Sequence, residues 1–136
     1  MRMRFDDLSV MARTVFGEAR GEPPQGRLAV AHVILNRVRV GGWFGASVSE
    51  VCLKRWQFSC WNPGDPNRTR LFQVELDDPD LLGCSRACLD ALGGGEDPTA
   101  GATHYYATSL PVPPRWVRGR APNVVIGRHA FFRNLQ

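Results

Sequence analysis

Two glutamates four residues apart stand at a helix break in "VFGEARGEPPQGRLAVAHVILNRV", residues 15–38. Each of them, Glu18 and Glu22, has a glycine on its N-terminal side. Carboxyls at the lip of a packed body are partly desolvated by apolar neighbours while still facing a cleft, which makes a protonated form easier to keep. If the helical turn persists, the two Cβ atoms lie roughly 5–6 Å apart, and each charge works against the other. A carboxylic acid still carrying its proton near neutral pH is what breaking a glycosidic bond requires, because the departing oxygen must be protonated. The competing reading is a solvated pair matched to Arg13, Arg20 or Arg27. The glycines, which let another chain or a ligand come close, and the break in the helix favour chemistry.

A retaining glycosidase needs its two carboxyls on opposite sides of the scissile bond, roughly 5–5.5 Å apart. Side chains one turn apart on a single helix approach from the same side. One glutamate is therefore expected to be the acid and the other to orient or tune it. The attack on the anomeric carbon is left to water or to the substrate.

The elements that must hold these groups can be read from pattern. Residues 7–20 read as a helix, with Leu8, Met11, Ala12, Val15 and Phe16 or Ala19 on one face and Asp6, Asp7 or Ser9 as cap. Pro23-Pro24 forbids simple continuation. A second helix runs from about Pro24 to Val40, apolar on most of its circumference and hence central. Gly41-Gly42 ends it. Residues 47–55 read as a short helix capped by Ser47 or Ser49, residues 61–70 as a polar loop, and residues 79–92 as a helix stopped by three glycines. Beyond Gly101, "THYYAT" and "NVVIG…HAFFR" read as two strands or extended segments with a proline-rich loop between them. The expected fold is mainly α with a small β element near the C-terminus.

The chain has 136 residues, 43% of them apolar and 22% charged, so one domain spanning residues 1–136 is expected. No stretch approaches the roughly 20 apolar residues of a membrane span. The basic start "MRMRF" is followed by "DDLSVMARTVF", and two aspartates where an apolar stretch should be argue against a signal peptide. The net charge is +4, and all but one of the 17 basic residues are arginine, the exception being Lys54. Such a chain is drawn to polyanions, but the arginines are spread out. Only Arg115, Arg118, Arg120 and Arg128 come near to clustering, so nucleic acid is not the expected partner. Cys52, Cys60, Cys84 and Cys88 form no Cys-x-x-Cys pair, no histidine lies at finger spacing, and no metal or cofactor is expected. They read as reduced, half-buried thiols, with a disulfide or an unusual zinc site as the alternatives.

With these residues in view, the chain resembles the SleB/CwlJ type of cell wall hydrolase, which includes spore-cortex lytic enzymes and related phage lysins. "ARTVFGEARGEPPQGRLAVAHVILNRV" matches the opening block, "VSEVCLKRWQFSCW" the segment ending in Gln-Phe-Ser, and "GATHYY" and "IGRHAFFR" the two closing blocks. The resemblance implies a compact fold related to lysozymes and lytic transglycosylases. It implies action between N-acetylmuramic acid and N-acetylglucosamine of peptidoglycan, with Glu18 as the catalytic residue. It also implies transglycosylase chemistry, in which the muramoyl 6-hydroxyl attacks and leaves a 1,6-anhydro end, so no second protein nucleophile is needed. A bare basic domain of this type suits a phage or prophage endolysin, a monomer that waits in the cytoplasm until the membrane is opened.

The Gln-Phe-Ser match makes Gln57, Phe58 and Ser59 candidate substrate contacts, against a capped loop with Phe58 in the core. Tyr105 and Tyr106 alternate on an extended segment, so one should face the core and the other a surface where it can stack on a sugar; Tyr105 is the favoured one. Glu22, His104 and Trp116 are further candidate substrate contacts, with a structural histidine the simpler reading of His104. His32 reads as structural and His129 as ambiguous. Trp43, Trp56 and Trp61 are possible sugar platforms beside Trp116, at least two of the four belonging to the core or its rim.

Rival functions start from the same residues. One is a hydrolytic muramidase or glucosaminidase at Glu18. Another is a peptidoglycan amidase or peptidase with Cys60 as thiolate and His104 as base. "FSCW" is weakly similar to the surroundings of a papain-type nucleophile, but His104 follows Cys60 by 44 residues, against ~130 in such enzymes. The last is a binding module that holds glycan or nucleic acid without cutting.

Overall fold

The computed structural model describes residues 3–133. Helix α1 (Phe5–Ala19) leads through a sharp turn into α2 (Pro24–Val40). A 3-10 turn (Gly42–Phe44), α3 (Val48–Leu53) and a second 3-10 turn (Ser59–Trp61) follow, and then α4 (Pro66–Gln73) and α5 (Pro79–Leu92). The chain closes with β1 (His104–Ala107), a 3-10 turn (Arg115–Val117), β2 (Val124–Ile126) and β3 (His129–Phe132). The architecture is mainly helical with one small sheet near the C-terminus, as the composition shift after Gly101 implied.

Helix α2 is the centre of the body. Ala29, Val30, Ala31, Val33 and Ile34 are fully enclosed, and α1, α3 and α5 pack around them. Pro24 occupies its first turn and Gly41 (φ +67°) its end. Helix α1 begins two residues earlier than expected. Neither Asp6 nor Ser9 caps it. Asp7 reaches back instead, accepting the Arg4 N–H at 2.7 Å and the Ser49 N–H at 3.0 Å, which also ties α1 to α3. Ser47 caps α3 by accepting the Glu50 N–H at 3.1 Å.

Two expectations are corrected. The polar segment 61–70 is not all loop, because α4 starts at Pro66. Asp65 caps it by accepting the Asn67 N–H at 2.8 Å, and Leu71 anchors it in the core. An N-cap aspartate followed by proline in the first turn is a local helix-start signal. The C-terminal segment read as one strand is two. Gly127 (φ +57°) turns the chain back, and β3 becomes the middle strand of an antiparallel sheet ordered β1-β3-β2, with Phe131 paired to both Tyr105 and Val124.

Gly17 marks a close approach of a turn onto helix α1. A Cβ there would meet Cys60 Cβ at 2.6 Å, Cys60 Sγ at 2.8 Å and Leu71 Cδ2 at 3.0 Å. The missing side chain lets the Ser59–Trp61 turn lie directly on α1, one residue from Glu18. Gly17→Ala is therefore expected to lower stability by about 1–3 kcal/mol through overpacking, although alanine is the better helix former. Thermal denaturation measures the loss, and activity should fall with it because the turn is pushed off Glu18.

Candidate active site

The end of α1, the Ser59–Trp61 turn, β1 and the β2–β3 turn converge on one carboxyl. Glu18 Oε1 accepts the Tyr105 hydroxyl at 2.6 Å. Its Oε2 accepts the Cys60 N–H at 3.2 Å and the Ser59 hydroxyl at 3.4 Å. Glu18 is half-buried and lines an open cleft of ≈ 250 Å³ with Gly21, Glu22, Ala107, Ser109, Arg128 and His129. The Tyr105 phenol is held protonated well above its ordinary range by burial and by the adjacent Glu18 carboxylate. It therefore serves as a fixed donor.

Glu22 does not stand one helical turn from Glu18, because α1 ends at Ala19. The residue is 7% exposed, and its side chain is committed to the β2–β3 turn. Oε1 accepts the Arg128 N–H at 2.7 Å, and Oε2 lies 3.6 Å from the Arg128 guanidinium. The His129 Nδ1 is 3.2 Å from Oε1, but out of line for a hydrogen bond. A Cβ on Gly127 would meet Glu22 Oε1 at 2.7 Å, so the turn can close over the carboxylate only as glycine. Glu22 thus holds the wall of the cleft on which Arg128 and His129 stand.

The other candidates divide. Ser59 is exposed beside Glu18. Gln57 is half-buried, with its amide oxygen 3.5 Å from Arg37 Nη1. Phe58 is 1% exposed and cannot touch a substrate; it packs under the Arg37 guanidinium, 4.8 Å from ring to Cζ. Tyr105 faces Glu18 and Phe131 rather than open surface, so it positions the carboxyl instead of offering a stacking face. Its neighbours His104 and Tyr106 point to the opposite side of the sheet, where Trp116 packs on both at 5.3 and 6.1 Å. Trp61 donates to Thr14 and belongs to the core rim.

Cys60 contributes its backbone N–H, not its sulfur. The thiol is fully buried and 4.0 Å from the Thr14 carbonyl, and burial, helped by Glu18, pushes it far up towards the protonated form. His104 hydrogen-bonds Thr103 Oγ1 and packs among aromatic rings. The thiol rival thus loses its nucleophile. All four cysteines are free, and buried rather than half-buried. Burial raises Cys52 to about 12 and Cys84 to about 11. Among the described residues no group of three His, Cys, Asp or Glu is placed to hold a metal ion, and no helix is long and apolar enough to cross a membrane.

Residues the sequence reading underrated are Gly17, Arg37, Gly127, Arg128 and His129. The signal for the last three was present in "IGRH", a glycine between two apolar-aromatic runs. What was missing was any hint that a glutamate lay beneath it.

All three histidines are shifted down. Burial lowers His104 to about 4, helped by Arg37. Burial also lowers His32 and His129, against opposing pulls from Asp97 and Glu22 respectively. A histidine depressed in the folded state takes its proton first in the unfolded chain. Stability is therefore full above pH 6.5 and falls as the pH drops from there towards 4. Asp7 and Asp97 extend the loss below pH 3.8: burial opposes their ionisation, but hydrogen bonds from Ser49 and Arg4, and from Asn36 and Thr99, outweigh it and hold both below their usual value. Melting temperatures across pH 3–7 should show this decline, and His104→Phe should flatten it between 6.5 and 4.

The fold is that of a known family: the chain belongs to the cell wall hydrolases, whose family model, described as Cell Wall Hydrolase, matches residues 21–132. Glu18 lies just ahead of that range. A spore cortex-lytic enzyme of Halalkalibacterium halodurans is 39% identical over 130 residues, covering 93% of this chain and 34% of that protein. The chain thus spans about a third of that relative's length. The crystal structure of the catalytic domain of the Bacillus cereus SleB protein superposes with a TM-score of 0.78 at 31% identity, covering 97% of this chain and 93% of that domain. The catalytic domain of the germination-specific lytic transglycosylase SleB from Bacillus anthracis gives 0.76 at 31% identity, covering 96% and 97%.

Proposed function

We propose that this chain cuts the glycan backbone of peptidoglycan between N-acetylmuramic acid and N-acetylglucosamine as a lytic transglycosylase, with Glu18 as general acid and then base. The observation that carries the reading is the grip on Glu18. Three donors from two separate elements, the Ser59–Trp61 turn and β1, fix one carboxyl at the edge of an open cleft. The other carboxylate lining that cleft is committed to its wall. One free carboxyl suits a reaction that needs no protein nucleophile.

In the first step Glu18 gives its proton to the glycosidic oxygen and the bond from that oxygen to the anomeric carbon breaks. The muramoyl 6-hydroxyl oxygen then bonds to the anomeric carbon, and its proton returns to the Glu18 carboxylate. No water is consumed. Ser59 at Oε2 and Tyr105 at Oε1 keep the carboxyl aimed through both steps. The transglycosylase named among the similar solved structures supports this chemistry.

In the same reading the chain works as a monomeric endolysin that is held in the cytoplasm until it gains access to the wall. Its net charge of +4 draws it to anionic envelopes. Mass spectrometry of digested sacculi tests the chemistry. Anhydro-muramoyl ends are one water lighter than hydrolytic ends. Hydrated ends alone would overturn the transglycosylase assignment in favour of a muramidase or glucosaminidase at Glu18. Sacculi bound but left whole would leave only a binding module.

A further inference from the structure

Trp43 and Trp56 take no part in the Glu18 site, yet they are 65% and 61% exposed. Each carries a cation on its ring. Lys54 Nζ lies 4.3 Å from the Trp43 centroid, and Arg55 Cζ lies 5.0 Å from that of Trp56. Neither Lys54 nor Arg55 enters any ion pair found among the described residues. Glu50, the acid lining the hollow beside Trp43, turns its carboxylate onto the Ala46 N–H at 2.9 Å instead.

The backbone is shaped to present these rings. Gly41, Gly42 and Gly45, at φ +67°, +56° and +126°, wind the turn that carries Trp43 outward. Trp56 itself adopts φ +68°, a left-handed conformation that a bulky side chain rarely takes. No burial of its ring accounts for that. A hollow of ≈ 450 Å³ opens between Trp43 and Lys54 with Phe44 and Leu53 on its walls. The loop that holds Lys54, Arg55 and Trp56 runs straight on to Ser59 at the Glu18 carboxyl. Chain reach alone keeps the Cα atoms of Trp56 and Ser59 within about 10 Å of each other.

We propose that this cationic aromatic surface binds the carboxylate-bearing peptide stems of peptidoglycan while Glu18 acts on the strand that carries them. The inference rests on the reading of the chain as a peptidoglycan-cleaving enzyme. A neutral sugar would have to displace the cation from each indole face. An anionic peptide keeps that contact and adds to it: its carboxylates pair with Lys54 and Arg55, and its aliphatic parts lie along the rings. Muramoyl stems meet both requirements and are tethered beside the scissile bond.

The test uses the full chain and two substrates, namely sacculi free of attached anionic polymers and glycan strands stripped of stems by an amidase. Lys54→Glu and Trp43→Ala, each checked for an unchanged melting temperature, are expected to raise KM on intact sacculi about tenfold, while rates on stem-free strands stay within about twofold of the parent. Lys54→Gln, which keeps the ring and removes only the charge, should give an intermediate loss that shrinks in high salt. Equal losses on both substrates would overturn the proposal and make the surface a sugar subsite. No loss on either would also overturn it, as would loss only on walls bearing phosphate-rich polymers. Failure of the parent chain to cut either substrate would instead defeat the underlying reading.

Discussion

Replacing Glu18 by glutamine lowers the release of soluble fragments from sacculi by ~10²–10⁴-fold, the usual worth of a general acid/base, while the melting temperature holds within a few degrees. Glutamine keeps an oxygen to accept from Tyr105 or from Cys60 and Ser59. The fold therefore has little reason to respond. The proton that should reach the glycosidic oxygen is gone. Turbidity of outer-membrane-stripped cells follows the rate, and calorimetry follows the fold. Persisting activity in Glu18→Gln, together with a dead Cys60→Ala, would return the thiol chemistry that the buried sulfur argues against.

Glu22→Ala should do the second-largest damage, and for a different reason. It deletes a buried acceptor and strands the Arg128 N–H under the β2–β3 turn, which costs about 1–3 kcal/mol for the unpaired donor. The Arg128 guanidinium also loses its carboxylate. The wall of the cleft then loosens, so stability and activity fall together. Glu22→Gln keeps an oxygen for the Arg128 N–H and should recover most of the stability. If Glu22 took part in proton transfer instead, Glu22→Gln would be stable but as inactive as Glu18→Gln. Comparing the two variants by melting temperature and by rate separates holding the wall from transferring the proton.

The wider arrangement explains why so small a body can hold the Glu18 carboxyl steadily. Gly17 lets the Ser59–Trp61 turn press on α1, and Asp7 ties α1 to α3. Arg37, buried in α2, donates to the Thr103 carbonyl at 2.7 Å just ahead of β1. That bond, with Asn36 donating to the Ala102 carbonyl at 2.9 Å, fixes the strand that delivers Tyr105. The sheet is thus pinned to the central helix by polar side chains, while Phe131 is buried in the same apolar core.

Much of this molecule was written locally. Pro24, Gly41, Ser47 and Pro79 mark helix ends because proline, glycine and serine act on their own backbone within a few residues. Apolar spacing placed α1, α2 and α5, and the β-branched and aromatic texture after Gly101 announced the sheet. Glu18 was legible because a carboxyl, two glycines and a helix break coincide within a few positions. Its partners were not. Cys60, Ser59 and Tyr105 lie 42, 41 and 87 residues away, and Glu22 meets Arg128 across 106. A backbone N–H looks the same in every residue type except proline, and a phenol declares no partner. Only the packing of α1 against a turn and a strand decides which of them faces the acid. The same holds for Glu22 and Phe58. Their types allowed either substrate contact or burial, and the glycine turn over one and the guanidinium over the other settled it.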